Sequence, residues 1–91
     1  MTTQQVFETT YNGTSGTVSA RPMIRYWDPE KGHYWGHKLT RTSWDYSKDI
    51  DDNHKHAVML SCRVALQKDP VSIEWGGESV KGKVWIVTVT S

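Results

Sequence analysis

Histidine, cysteine and aspartate side chains are the groups in this sequence with the chemistry to bind a metal or to transfer protons. Two pairs of histidines and a group of aspartates beside the second pair make up the set: His33, His37, His54, His56, Asp49, Asp51 and Asp52. Imidazole and carboxylate groups bind zinc when the fold brings them together. This spacing matches no zinc motif, and no second cysteine completes a site. We therefore expect no metal and no other cofactor, and a small metal-dependent enzyme is the minority hypothesis.

Cys62 is the single cysteine of the chain, so no disulfide forms within it. A free thiol is typical of a reducing compartment, and residues 1–5 lack the charged and apolar regions of a signal peptide. We therefore expect a cytoplasmic protein. No apolar run approaches the roughly 18 residues that a membrane-spanning helix requires, so we expect no membrane partner. Cys62 falls in the middle of a predicted helix, where a thiol is typically buried and inert, and we expect no enzymatic activity.

The hydrophobic pattern that positions these residues is that of an α+β domain. Ninety-one residues suffice for a single domain, and five tryptophans and four tyrosines supply large apolar surfaces to a thin core. We predict an antiparallel sheet of about five strands, in the order β-β-β-α-β-β, with one α-helix packed on one face. The strands are expected at residues 5–11, 17–27, 33–42, 71–75 and 83–90, and the helix at 52–68.

The predicted helix carries two apolar lines. Acidic residues gather at its start, which suits the positive end of the helix dipole, and Asp69–Pro70 ends it. Small or aliphatic residues form the stripe expected to face the sheet: Ala57, Val58, Leu60, Ser61, Val64 and Ala65. A second line, Met59, Cys62 and Leu66, has two interpretations. It either lies beneath the segment 44–46 or a chain terminus, or it is a self-association surface that makes the protein a homodimer rather than a monomer.

The segment Asp28–Gly32 predicts a tight hairpin loop. Asp, Pro and Gly occupy the positions that a type I turn and a left-handed residue favour. If Asp28 pairs with His33, Trp27 lies opposite Tyr34, and strand alternation creates two faces. The face expected in the core carries Pro22, Ile24, Tyr26, Trp35, His37 and Leu39, and the face expected in solvent carries Arg21, Met23, Arg25, Trp27, Tyr34, Lys38 and Thr40. Pro22 indicates a sheet edge or a bulge, because it has no N–H for a strand ladder.

Positive charge and aromatic rings coincide on the face expected in solvent. We predict a partner-binding site made of Arg21, Arg25, Trp27, Tyr34 and Lys38. Trp, Tyr and Arg dominate the binding energy of many protein–protein interfaces. The same residue types neutralise phosphates and stack on unpaired bases, which gives the alternative of a single-stranded nucleic-acid binder. A third interpretation is purely structural, with a Trp27–Tyr34 pair that stabilises the hairpin.

Charge favours one of the two binding hypotheses. The whole chain has a formal net charge of +1, so no global field attracts nucleic acid. Five Lys or Arg residues against two acidic residues between positions 21 and 41 provide few phosphate contacts. A protein partner is therefore the leading hypothesis, with the chain acting as a non-enzymatic interaction module. In general style the chain resembles small phage or mobile-element proteins that inhibit a host complex, by type and not by motif.

Overall fold

The fold places one helix on a five-stranded sheet, from which a separate two-stranded hairpin extends. We describe residues 1–36 and 38–90 of the computed structural model, and of Arg25, Tyr26 and Trp35 only the backbone. The elements are β1 (Thr2–Asn12), β2 (Thr17–Pro22), β3 (Arg25–Asp28), β4 (Gly32–Trp35), β5 (Thr40–Ser43), α1 (Ile50–Ala65), β6 (Ser72–Glu78) and β7 (Lys83–Thr90). The large sheet has the antiparallel order β5-β2-β1-β7-β6, and β3 and β4 form the second sheet. The predicted α+β fold is confirmed.

The core lies between α1 and one face of the large sheet. Strand alternation sends every second side chain of β1, β2 and β7 toward the helix. The buried apolar residues are Phe7, Val18, Ala20, Ala57, Val58, Cys62, Trp85, Val87 and Val89. We call the opposite side of this sheet the open face, because no other described element packs on it. Val6 at its centre is 40% exposed.

Helix α1 begins and ends earlier in the chain than predicted. Asp49 is the residue that caps it, since its side chain accepts a hydrogen bond from the backbone N–H of Asp52 at 2.7 Å. The last helical residue is Ala65, and the N–H of Leu66 still donates to the carbonyl of Cys62. Among the described residues, no helix has the length and apolarity needed to cross a membrane.

The buried stripe of α1 is rotated relative to the predicted one. Its members are Asn53, His54, Ala57, Val58, Ser61 and Cys62. Val64, expected in the core, is 70% exposed, whereas Cys62, assigned to the second apolar line, is fully buried. The rotated stripe includes His54, which finds a hydrogen-bonding partner in Thr9 of β1, as a buried polar side chain requires.

Pro22 explains why the long hairpin from β2 to β5 is interrupted. The N–H of Met23 donates to the carbonyl of Val6 in β1, so the odd-numbered residues of this strand bond toward β1. The nitrogen of Pro22 therefore faces the β5 side, where it has no proton to donate. The ladder between β2 and β5 ends at the pair Ala20–Thr40. Pro22 was predicted to lie at a sheet edge or a bulge; β2 is an interior strand, and Pro22 lies just beyond the end of its ladder with β5.

The register of the β3–β4 hairpin differs by one residue from the prediction. Asp28 pairs with Gly32 and Trp27 with His33, so the predicted pairs Asp28–His33 and Trp27–Tyr34 are wrong. Gly32 has a φ of 75°, which closes the loop after three residues instead of four. The Asp28 carboxylate accepts hydrogen bonds from the two following loop amides, at 2.8 and 3.1 Å. A left-handed glycine thus sets the register.

Candidate functional site

A buried polar cluster joins β1, β7 and the first turns of α1. The indole N–H of Trp85 donates to Thr9 Oγ1 at 2.9 Å, and Thr9 Oγ1 lies 2.6 Å from His54 Nδ1. Thr9 and Trp85 are completely buried, and His54 is 3% exposed. The Trp44 ring lies edge-on to the His54 ring, with 5.9 Å between the ring centroids, and it packs against the Tyr11 ring, with 4.4 Å between the centroids. The segment after β5 therefore covers the cluster.

The hydrogen bonds of the cluster favour a neutral His54. The indole of Trp85 can only donate, so Thr9 Oγ1 accepts from it and has one proton left. The nearest acceptor for that proton is His54 Nδ1, because the carbonyl of Lys83 lies farther away, at 3.4 Å. Burial lowers the pKa of His54, and the positive charge of Lys83 lowers it further, against the opposing effect of Asp51. An enclosed, neutral imidazole of this kind stabilises the fold and is screened from a substrate.

The histidines and aspartates do not form a metal centre in the described part of the chain. No group of three or more His, Cys, Asp or Glu residues comes together there. His33 lies on β4, in a different sheet from the strands that pack on α1, while His54 is enclosed by Thr9. His37, assigned to the core face of the hairpin, lies outside the described residues.

The second apolar line of the helix packs largely on the domain itself. Cys62 is fully buried, its thiol donates to the carbonyl of Lys68 at 3.2 Å, and burial raises its pKa. Leu66 packs against the core, and Met59 is half-buried. One of the two interpretations placed this line beneath the segment 44–46 or a chain terminus; Trp44 of that segment lies over His54 instead. Cys62 therefore cannot contribute to a self-association surface, which leaves Met59 and Leu66 as its accessible members.

The β3–β4 hairpin, residues 25–35, is called the arm, and it displays aromatic side chains to solvent. Trp27 is 65% exposed and Tyr34 is 44% exposed. Because Trp27 pairs with His33 while Tyr34 pairs with Tyr26, the two exposed rings lie on opposite faces of the arm. They were predicted to share one face, and the register corrects this. Arg25 pairs with Trp35 through the backbone.

A basic groove lies on the open face, next to the base of the arm. Its lining residues come from β1, β2, β5 and the two loops that border them: Glu8, Thr10, Asn12, Thr17, Ser19, Arg21, Leu39, Arg41 and Lys81. Arg21 was predicted as a binding residue, and the groove includes it. Leu39, expected in the core, is 43% exposed here. Lys38, also predicted as a binding residue, is exposed between β4 and β5.

Gly82 explains how Lys81 reaches this groove from the β6–β7 turn. A Cβ atom on Gly82 would lie 1.9 Å from the carbonyl oxygen of Thr9, so only glycine lets the turn lie against β1. Ser79 holds the turn in place, since its N–H donates to the Gly82 carbonyl and its hydroxyl accepts from the Gly82 N–H. Sequence reasoning had no signal for Lys81 or Arg41 as neighbours of Arg21, because strand order brings them together.

Three positively charged side chains and one carboxylate therefore share the basic groove. Glu8 stands directly opposite Arg21 in the β1–β2 ladder, while Arg41 and Lys81 supply the excess positive charge.

Comparison of the chain with protein-family models, with curated proteins and with solved structures finds no match.

Proposed function

We propose that this protein is a non-enzymatic interaction module that binds a protein partner through the Trp27 face of the arm. The observation that carries the proposal is the 65% exposure of Trp27. Tryptophan is a residue type that contributes strongly to protein–protein binding once a partner covers it. Within the described residues, β3 and β4 pack on each other and not substantially on the helix or the large sheet. The Trp27 ring is therefore available to a partner.

The groups with catalytic potential support a binding role rather than a catalytic one. His54 is enclosed by Thr9, and the Cys62 thiol is buried with a raised pKa. A nucleophilic cysteine instead needs an exposed, electropositive setting that lowers its pKa. We propose that the protein acts by covering a surface of its partner in the cytoplasm, in the manner of small phage or mobile-element inhibitors that block a host complex.

Opposite placement of the two exposed rings allows a direct test of the proposed face. Wild-type protein, Trp27→Ala and Tyr34→Ala are used as baits in a pull-down from the native host. The captured protein is then purified and its affinity for each variant is measured by calorimetry. We expect Trp27→Ala to weaken binding by about 2 kcal/mol or more, roughly thirtyfold. We expect Tyr34→Ala to retain most of the wild-type affinity.

Two results would contradict the proposal. Equal binding by wild-type protein and Trp27→Ala would remove the Trp27 face as the binding surface. Loss of binding in Tyr34→Ala alone would move the interface to the other side of the arm. Thermal unfolding of each variant, compared with wild type, checks that the fold is retained.

Single-stranded nucleic acid is the second candidate partner for the same face. The exposed ring of Trp27 supports it, since aromatic rings are the platforms on which unpaired bases stack. A salt titration separates the two hypotheses. Affinity for an oligonucleotide falls steeply with salt, in proportion to the phosphates neutralised. Absence of oligonucleotide binding at low salt removes this candidate.

A further inference from the structure

We infer that the basic groove binds an acidic segment of the protein partner, with Arg41 and Lys81 contacting its carboxylates. The inference rests on the proposed function in one respect, namely that the partner is a protein. It assigns a second contact region, distinct from the Trp27 ring, and a chemical class to what binds there.

The basic groove carries an excess of positive charge. The groove holds Arg21, Arg41 and Lys81 against Glu8 alone. Glu8 faces Arg21 across the β1–β2 ladder, where opposite charges attract. Arg41 and Lys81 come from two other elements, β5 and the β6–β7 turn, and converge on the same space. Arginine binds a carboxylate through two parallel hydrogen bonds, so this arrangement selects an anionic group.

The basic groove is smaller than a pocket that encloses a small-molecule ligand. The groove has a volume of about 220 Å³, which is below the roughly 300–1,000 Å³ of pockets that enclose small-molecule ligands. One or two side chains of a peptide fit this space. Hydroxyl groups on its walls, from Thr10 and Ser19, can exchange hydrogen bonds with a peptide backbone, and Leu39 offers an apolar contact at the rim.

The described lining of the basic groove offers no surface on which a base could stack, and this favours a peptide over nucleic acid. No aromatic residue is among the described side chains that line the groove, whereas single-stranded nucleic-acid sites combine basic residues with aromatic platforms. The Glu8 carboxylate would also repel a regularly spaced phosphate chain. A peptide can place its carboxylates beside Arg41 and Lys81 and leave the space near Glu8 to neutral residues.

The position of the groove relative to the arm fits a partner that contacts both. Arg21 lines the groove near the end of β2, and only Met23 and Ile24 separate β2 from β3 of the arm. The groove therefore lies beside the base of the arm, within reach of a partner that covers the Trp27 ring. Charges at the edge of such an interface steer association and set its orientation.

The test uses the full chain and an oligo-glutamate peptide as the probe, and it needs no knowledge of the natural partner. Amide shifts of the ¹⁵N-labelled protein are followed during titration at low salt. We expect saturable shifts at groove residues such as Thr10, Ser19 and Arg41. Arg41→Glu should weaken peptide binding about tenfold or more. Lys48→Glu, which makes the same charge change near the start of α1, should retain binding.

Several outcomes would overturn the inference. Absence of saturable shifts at the groove would do so, as would equal weakening by Lys48→Glu, which would indicate non-specific attraction. Tighter binding of oligothymidine than of oligo-glutamate at the same residues would assign the groove to nucleic acid. If Arg41→Glu unfolds the protein, Lys81→Gln in the exposed turn tests the same claim. Failure here leaves the Trp27 pull-down result unaffected, so the two proposals fail separately.

Discussion

Trp85 and Trp27 belong to two regions that use the same side chain in opposite ways. Trp85 is fully buried in the polar cluster, where its indole N–H donates to Thr9 Oγ1. Trp27 lies on the arm, 65% exposed. Burial of a large aromatic ring stabilises a small domain, whereas an exposed ring adds little to folding. Trp85 therefore contributes to the fold, whereas Trp27 is exposed on the arm, where we propose that a partner binds.

The same substitution in the two regions should give the largest contrast. Trp85→Ala removes a buried ring and the hydrogen-bond donor to Thr9 Oγ1, so we expect a loss of about 3–5 kcal/mol in the free energy of unfolding. Trp27→Ala should cost at most about 1 kcal/mol, since the ring is largely exposed and has His33 as its cross-strand neighbour. Urea denaturation of both variants measures the difference. Equal destabilisation would contradict the assigned roles.

A substitution at the contact between the β6–β7 turn and β1 should have the next largest effect on stability. A methyl group on Gly82 would collide with the Thr9 backbone, so Gly82→Ala should destabilise the protein by about 1–3 kcal/mol. Gly13→Ala is the matched control, because the nearest atom to its added Cβ is a Tyr11 ring carbon at 3.4 Å. Thermal unfolding compares the two. A wild-type melting temperature for Gly82→Ala would refute the close approach.

The hydroxyl group of Thr9 should contribute a smaller amount. Thr9→Val keeps the shape of the side chain but removes the acceptor for Trp85 and the partner of His54. Unsatisfied buried polar groups cost about 1–3 kcal/mol. Thr10→Val, one position along on the open face, should be nearly neutral. Chemical denaturation of the pair tests the cluster, and equal stabilities would show that the hydroxyl is dispensable.

Acid should destabilise the protein through His54, with a smaller effect than these substitutions. Its ordinary pKa is near 6.5 and burial lowers it in the folded state. Below pH 6.5 the unfolded chain therefore binds more protons than the folded one, and stability falls as the pH decreases toward the folded pKa. In urea denaturation between pH 7 and 5, His54→Gln should lose less stability than wild type. An equal loss in both proteins would exclude His54 as the source.

The helix, the β7 strand and the position of the hairpin loop were predictable because periodicity and turn residues act locally. The 83–90 strand has the predicted bounds. The hairpin register was not predictable with the same security, because three- and four-residue loops both accommodate the segment Asp28–Gly32. The left-handed φ of Gly32 decides between them, and it moves Trp27 and Tyr34 to opposite faces.

The candidate sites could be predicted only in part from the sequence, because they depend on contacts between distant parts of the chain. Thr9 and His54 are 45 positions apart, and their hydrogen bond depends on how α1 sits across β1. Lys81 reaches the basic groove only because Gly82 packs on the β1 backbone. Composition identified Arg21 and Trp27 as candidates, but strand order was needed to add Arg41 and Lys81 and to separate Tyr34 from Trp27.

Site-specific photo-cross-linking in the native host would show whether a protein covers the Trp27 face of the arm. An aromatic photoreactive residue replaces Trp27, Leu39 at the rim of the basic groove or, as the control, the exposed Val64 of α1, and each protein is irradiated in the native host. We expect positions 27 and 39 to cross-link to the same partner protein, and position 64 not to cross-link to it. Cross-linking of position 64 to that partner with equal yield, or of position 27 only to nucleic acid, would contradict the proposal.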